Sequence, residues 1–185
     1  MLTIGHSTLA IELFLGALRD NGVTLLVDVR TIPKSRHNPQ FGTEALSVSL
    51  RSVDIEYQWM QALGGLRKPR KDSINTGWRN ASFRGYADYM QTEGFQNALQ
   101  ELVELEKGAA VAIMCSEAVP WRCHRSLIGD ALLVRGRCVE DIFLSAAGKS
   151  SRKQHSLTPF AHVEGTRIWY PGEPELPLRG VKSGD

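Results

Sequence analysis

Six residues that can take part in catalysis or bind a ligand lie within one short stretch of the sequence. They are Cys115, Glu117, Arg122, Cys123, His124 and Arg125. A thiol near arginines and helix amides tends to have a lowered pKa, so we predict that Cys115 is a nucleophile and Glu117 a general acid or base. The alternatives are that Cys115 only completes a buried strand and that Glu117 only pairs with an arginine.

The segments around this stretch place it where α/β proteins bind ligands. Residues 109–114 form a short apolar run typical of a buried parallel strand, Pro120 breaks the chain, and helical spacing resumes over residues 123–135. A loop between the carboxyl end of a strand and the start of a helix presents free amides, which favour an anion. The pattern therefore predicts a ligand at this loop.

The same residues include possible zinc ligands, namely Cys115, either Cys123 or His124, His6 and Glu117. In the predicted helix Cys123 and His124 are adjacent positions, about 100° apart around the axis. We therefore expect at most one of them to join Cys115. The sequence also has no C-x-x-C pair. We predict no metal and no cofactor, and we expect Cys123 to pack in the core.

Two further groups of polar residues follow predicted strands. His6 and Ser7 follow the first strand, and Asp28 and Arg30 stand at the end of the second. If these strands are parallel to the strand before Cys115, all three carboxyl ends meet at one edge of the sheet. Asp28, in an apolar strand, needs a fixed partner or a catalytic role. His6 is predicted to be catalytic, with capping of the first helix as the alternative.

The basic residues near these strand ends exceed what packing requires, which indicates an anionic ligand, most simply one that bears phosphate. The predicted substrate-binding residues are Ser7, Arg30, Ser35, Arg122 and Arg125. A second basic segment, residues 67–84, has Trp78, Phe83 and Tyr86 in or beside it. This composition suits a nucleic-acid surface, and a solvated loop is the alternative.

Three of these segments carry recognisable motifs. Residues 115–125 fit C-x-E-x-x-P-x-x-C-H-R, residues 28–41 are similar to D-V-R-x-x-P-x-S-x-x-P-x-F, and residues 3–7 read T-I-G-H-S. Together they resemble the DUF488 family, a group of bacterial and archaeal proteins without a settled function. The resemblance spans residues 3 to about 145. It implies a fold and a site, but no reaction.

Composition describes an ordinary soluble protein. The 185 residues suit one domain, with 42% hydrophobic residues and a net charge of +2. Three cysteines, an odd number, argue against a disulfide framework and favour a reducing cytoplasm. The sequence contains neither a signal peptide nor an apolar run long enough for a membrane span. We therefore predict a cytoplasmic protein without a membrane partner.

Strands alternate with helices along the chain, which predicts a single three-layer α/β domain. We expect a mainly parallel sheet of about five strands with helices on both faces over residues 1–170, and a weakly structured tail over residues 171–185. The predicted strands are 2–5, 24–29, 55–59, 109–114 and 138–144, and the predicted helices are 10–21, 43–52, 86–90, 95–107 and 123–135.

The predicted function is an enzyme that binds a phosphate-bearing substrate, a nucleotide or a nucleic acid, in a crevice at the carboxyl ends of the strands. Its site combines cysteine, glutamate and arginine side chains. The alternative is a non-catalytic module that binds nucleic acid through residues 67–84.

Overall fold

The computed structural model describes residues 1–145 and 148–172, and a six-stranded sheet lies at its centre. The strands of this sheet are β1 (Leu2–Gly5), β2 (Leu25–Asp28), β3 (Glu56–Trp59), β4 (Val111–Cys115), β5 (Glu140–Leu144) and β6 (Ser150–Gln154). Their order is β3-β2-β4-β1-β5-β6, with only β6 antiparallel to its neighbour. Two short strands, β7 (His162–Glu164) and β8 (Arg167–Trp169), form a separate antiparallel pair.

Five α-helices of the described chain connect and cover these strands. They are α1 (Ile11–Asp20), α2 (Thr43–Arg51), α3 (Ala81–Tyr89), α4 (Glu93–Leu105) and α5 (Arg125–Leu133). Short 3-10 helices lie at Pro39–Phe41, Gln61–Leu63 and Pro120–Arg122. In the part of the chain that the structure describes, no helix is long and apolar enough to cross a membrane.

Alternate residues of the central strands pack into two separate cores. Leu26 of β2 packs on one face with Phe14 of α1, in a core that α2 completes. Val27 packs on the other face with Leu99 of α4 and Ile128 of α5. All five side chains are fully buried, and burial of a side chain of this size stabilises the fold by about 1.5–3 kcal/mol. The predicted three-layer α/β architecture is confirmed.

The sheet has six strands and not five, because β6 gives no apolar signal. Four of the five β6 residues are exposed, and the strand pairs only with β5 at the edge of the sheet. A polar, charged edge strand limits unwanted pairing with other chains, but its sequence looks like a loop. Of the predicted tail at 171–185, residues 173–185 lie outside the described residues.

Two helix starts also differ from the prediction. Helix α3 begins at Ala81 and not at residue 86, since the Asn80 side chain accepts hydrogen bonds from the amides of Ser82 and Phe83 and caps the helix there. Helix α1 has Ala10 at its N-cap with no side-chain cap. His6 therefore does not cap α1.

Candidate active site at the carboxyl edge of the sheet

The carboxyl ends of β1, β4 and β2 are neighbours in the middle of the sheet. Gly5 pairs with Cys115, and Asp28 pairs with Met114. The pairing continues past the strands, because the His6 amide donates to the Cys115 carbonyl at 3.1 Å. The structure thus brings the three sequence motifs to one edge, as the parallel topology predicts.

A cavity of about 830 Å³ opens at this edge. Seven of the nine predicted site residues line it, namely His6, Ser7, Arg30, Ser35, Cys115, Glu117 and Arg122. Cys123 and His124 line it as well. The remaining two predicted residues, Asp28 and Arg125, are buried and bonded to protein groups.

A close backbone approach shapes the cavity wall. A Cβ at Gly5 would overlap the Glu117 carbonyl oxygen, so only glycine lets the loop after β4 pack onto the end of β1. Ser7 has a φ of 46°, in the left-handed region, and its amide donates to the Ser116 carbonyl at 2.8 Å. A non-glycine residue in this conformation is uncommon and concentrates at functional sites.

The two cysteines and the histidine form one cluster, contrary to the sequence prediction. The 3-10 helix Pro120–Arg122 precedes Cys123, which has extended backbone with a φ of −132°, and α5 begins only at Arg125. The angle between adjacent helix positions therefore does not apply to Cys123 and His124. His124 Nδ1 lies 3.9 Å from Cys115 Sγ and 3.7 Å from Cys123 Sγ, and all three atoms lie within 4.8 Å of one another.

The orientation of the His124 ring is fixed from behind. Its Nε2 lies 2.9 Å from the Val29 carbonyl oxygen, which can only accept, so Nε2 carries the proton. The Nδ1 lone pair consequently points at the two sulfur atoms. A Cβ at Gly65 would lie 2.5 Å from Nδ1, so Gly65 leaves the space that the ring occupies.

The two thiols have different proton affinities. The Cys123 thiol, as a hydrogen-bond donor, holds the pKa of Cys115 well below its usual range against the opposing effect of burial, with further help from His124 and Arg125. The same bond and burial raise the pKa of Cys123. Cys115 is thus the thiol of the pair that ionises first.

Asp28 has the fixed partner that its burial demands. Its carboxylate accepts from Arg30 Nε at 2.9 Å and from the Tyr57 hydroxyl at 2.8 Å. Arg30 also donates to the Phe41 carbonyl at 2.8 Å. The Arg30 guanidinium lies 3.3 Å from Nε2 of His6, and burial lowers the pKa of His6, so the imidazole is neutral at pH 7. The pair Asp28–Arg30 forms the wall of the cavity.

Tyr57 was missed by the sequence analysis. It stands in the alternating strand β3, where a tyrosine usually indicates packing. Its hydroxyl contacts a carboxylate that raises the pKa of Tyr57, together with burial. A polar partner for the buried Asp28 was expected, but the sequence did not identify Tyr57.

The predicted arginines divide into structural and exposed ones. Arg125 is 1% exposed and donates to Thr3 Oγ1 at 3.1 Å and to the Glu117 carbonyl at 3.0 Å, so it positions the loop after β4. Arg122 and Lys34 are exposed and line the cavity. Neither belongs to an ion pair of the described chain.

Comparison with known proteins gives a family and no activity. No curated protein and no solved structure matches the chain. The family model described as "Domain of unknown function DUF488" matches residues 10–132, which include the end of β2 and the whole cysteine–histidine cluster. This match covers more than half of the chain. The chain therefore belongs to the DUF488 family.

Proposed function

We propose that the protein is an enzyme that binds a phosphate-bearing substrate, a nucleotide or a nucleic acid, in the cavity at the carboxyl edge of the sheet. The observation that carries this proposal is that cationic side chains and the Cys115, Cys123 and His124 cluster line the same cavity. Lys34 and Arg122 lie there outside any ion pair of the described residues. Groups that only stabilised the fold would have partners.

Each part of the cavity suits a part of such a substrate. The planar guanidinium of Arg122 and the ammonium of Lys34 donate to phosphate oxygens, and the Ser7 hydroxyl adds a donor. Leu66 and Ile32, 73% and 61% exposed, also line the cavity and offer apolar contact to the rest of a nucleotide.

The reactive groups lie at the opposite part of the site from the exposed cations. The cysteine–histidine cluster faces the reacting centre, and Glu117, the carboxylate that lines the cavity, acts as general acid or base. Arg30 and Arg125 keep this arrangement in place through their bonds to Asp28 and to the Glu117 carbonyl. The three free cysteines fit the reducing cytoplasm that we propose as the location.

Ligand-dependent thermal unfolding tests the substrate class. A nucleoside monophosphate at about 100 times its Kd stabilises the folded state by about 2.7 kcal/mol and raises Tm accordingly. Arg122→Ala and Lys34→Ala remove most of this increase. Arg70→Ala is the control, because Arg70 is exposed and pairs with Asp72 outside the cavity. No increase in the wild type, or equal losses in all three variants, contradicts binding in the cavity.

The alternative, a nucleic-acid module built on residues 67–84, has weaker support. Arg67 stacks on Tyr89 at 3.6 Å. The Trp78 ring packs against Phe83 at 4.7 Å and Tyr170 at 5.5 Å. Rings covered by neighbouring rings offer little surface for stacking bases. A single-stranded oligonucleotide whose affinity falls in Arg70→Ala but not in Arg122→Ala would favour this alternative.

A further inference from the structure

The cysteine–histidine cluster has the composition and geometry of a metal centre. We infer that Cys115 Sγ, Cys123 Sγ and His124 Nδ1 together bind one zinc ion, whose fourth coordination position opens into the cavity. The catalytic role of this ion rests on the proposed function, whereas zinc binding itself does not.

The distances between the three atoms are close to those of a tetrahedral site. Zinc binds thiolate sulfur at about 2.3 Å and imidazole nitrogen at about 2.0–2.1 Å, which places sulfur and nitrogen ligands about 3.5 Å apart. The observed separations from His124 Nδ1 are 3.9 Å to Cys115 Sγ and 3.7 Å to Cys123 Sγ. Shifts of a few tenths of an ångström in side-chain position complete the site.

The groups around the cluster hold it as ligands are usually held. A zinc-bound histidine generally donates its other ring N–H to a carbonyl or carboxylate, as His124 does to the Val29 carbonyl. The Arg125 amide donates to Cys123 Sγ at 3.5 Å, a bond that favours the thiolate. These contacts orient both atoms before any ion binds.

Charge balance favours a divalent ion in this buried place. Cys115 and Cys123 are 7% and 3% exposed. Zinc binding releases one proton from each thiol, and the two thiolates with a neutral imidazole then cancel the charge of Zn²⁺. Thiolate and imidazole ligands select zinc over magnesium or calcium, which prefer oxygen.

Three protein ligands leave one position for a water molecule or a substrate oxygen, as in catalytic zinc sites. His6 does not fill it, because its Nδ1 contacts the Ser7 carbonyl at 2.8 Å and its Nε2 faces Arg30. Cys115, Cys123 and His124 all line the cavity, so the open position faces the space where the substrate binds. In this assignment Cys115 is a ligand and not a free nucleophile.

Metal content of the purified full chain tests the inference. After zinc loading and dialysis under reducing conditions, we expect one zinc per wild-type chain. Cys123→Ala and His124→Ala each weaken zinc binding by more than about 100-fold, since loss of a supporting group alone costs 10–100-fold. Cys138→Ser is the matched control, because Cys138 is an exposed free cysteine outside the cluster, and it retains one zinc. Circular dichroism of each variant separates zinc loss from unfolding.

Cobalt substitution of the wild type gives a readout that needs no variant. A thiolate-to-cobalt charge-transfer band and a tetrahedral visible spectrum support the site. Absence of zinc and of these bands overturns it, as does zinc binding that survives in Cys115→Ala. Rapid alkylation of Cys115 in the zinc-loaded chain, or a Cys115–Cys123 disulfide in the protein purified under reducing conditions, also overturns it. The Tm response to a nucleoside monophosphate is measured on the same zinc-loaded sample, so failure of the substrate proposal is recorded separately.

Discussion

Replacement of Gly65 by alanine perturbs the proposed metal centre without touching a ligand. The new Cβ would stand 2.5 Å from Nδ1, 2.7 Å from Cγ and 2.9 Å from Cε1 of His124. Real contacts of a Cβ with a ring are about 3.5–4.0 Å, so the imidazole must move by roughly an ångström. The ring is held on its far side by the Val29 carbonyl at 2.9 Å and packs near Tyr86, so it cannot move without breaking these contacts.

The magnitude follows from these contacts. Overpacking of this kind costs about 1–3 kcal/mol, and loss of the His124 to Val29 hydrogen bond accounts for about 0.5–1.5 kcal/mol of that. Misorientation of a zinc-bound histidine lowers metal affinity by about 10–100-fold. Gly65→Ala is therefore expected to lower the free energy of unfolding by about 1–3 kcal/mol and to weaken zinc binding within that range.

Urea unfolding and zinc competition with a chromophoric chelator measure the two effects. Gly16→Ala is the matched control, because nothing lies within 4 Å of a Cβ at Gly16 and the residue is inside α1. Alanine there leaves zinc affinity unchanged and raises helix stability by up to about 1 kcal/mol. A Gly65→Ala protein with wild-type stability and zinc affinity would refute the packing argument.

Two predictions concern buried charges away from the cluster. His155 lies 2.9 Å from Asp141 and 3.3 Å from Asp130. These carboxylates raise the pKa of His155 from 6.5 to about 9 against the effect of burial. Because the folded pKa is above the unfolded one, the stabilisation is complete below pH about 6.5 and is lost as pH rises through about 9. It amounts to roughly 2–3 kcal/mol; urea unfolding at several pH values measures it, His155→Gln removes this pH dependence, and an unchanged profile in the variant contradicts the assignment. Asp28→Asn leaves the Arg30 charge buried without its partner and costs about 3–5 kcal/mol, whereas Asp72→Asn, in an exposed pair with Arg70, costs at most about 1 kcal/mol; similar losses measured by urea unfolding would contradict the structural role of Asp28.

The arrangement of the strands could be predicted because it depends on strong signals. The runs before Asp28 and Cys115 are apolar throughout, which is typical of strands buried on both faces. Parallel connections then place the ends of these strands at one edge regardless of their separation in sequence. Strand β6 could not be predicted, because its residues satisfy only backbone pairing with β5 and bury little apolar surface.

The cysteine–histidine cluster could not be predicted, because it depends on where a helix begins. Residues 123–135 have helical spacing throughout, and His124, at the N-cap of α5, makes no side-chain cap. Only the 3-10 helix Pro120–Arg122 delays the helix and turns both Cys123 and His124 toward Cys115. Pro120 was the available signal, since proline often begins a short helix and ends the preceding geometry.

The roles of the arginines were equally beyond sequence reasoning. Arg122 and Arg125 are three residues apart, yet one is exposed at the cavity and the other is 1% exposed among backbone carbonyls. Charge alone predicts an anion, but only burial separates a side chain that binds a ligand from one that supports a loop.

X-ray absorption at the zinc edge of the purified, zinc-loaded full chain tests the central claim most directly. The account predicts two sulfur neighbours at about 2.3 Å, one imidazole nitrogen at about 2.0–2.1 Å and one further oxygen or nitrogen atom. Addition of a nucleoside monophosphate changes the light-atom shell and leaves both sulfur atoms in place. A shell without sulfur, or a protein that retains no zinc, would contradict the assignment of Cys115, Cys123 and His124 as a metal centre.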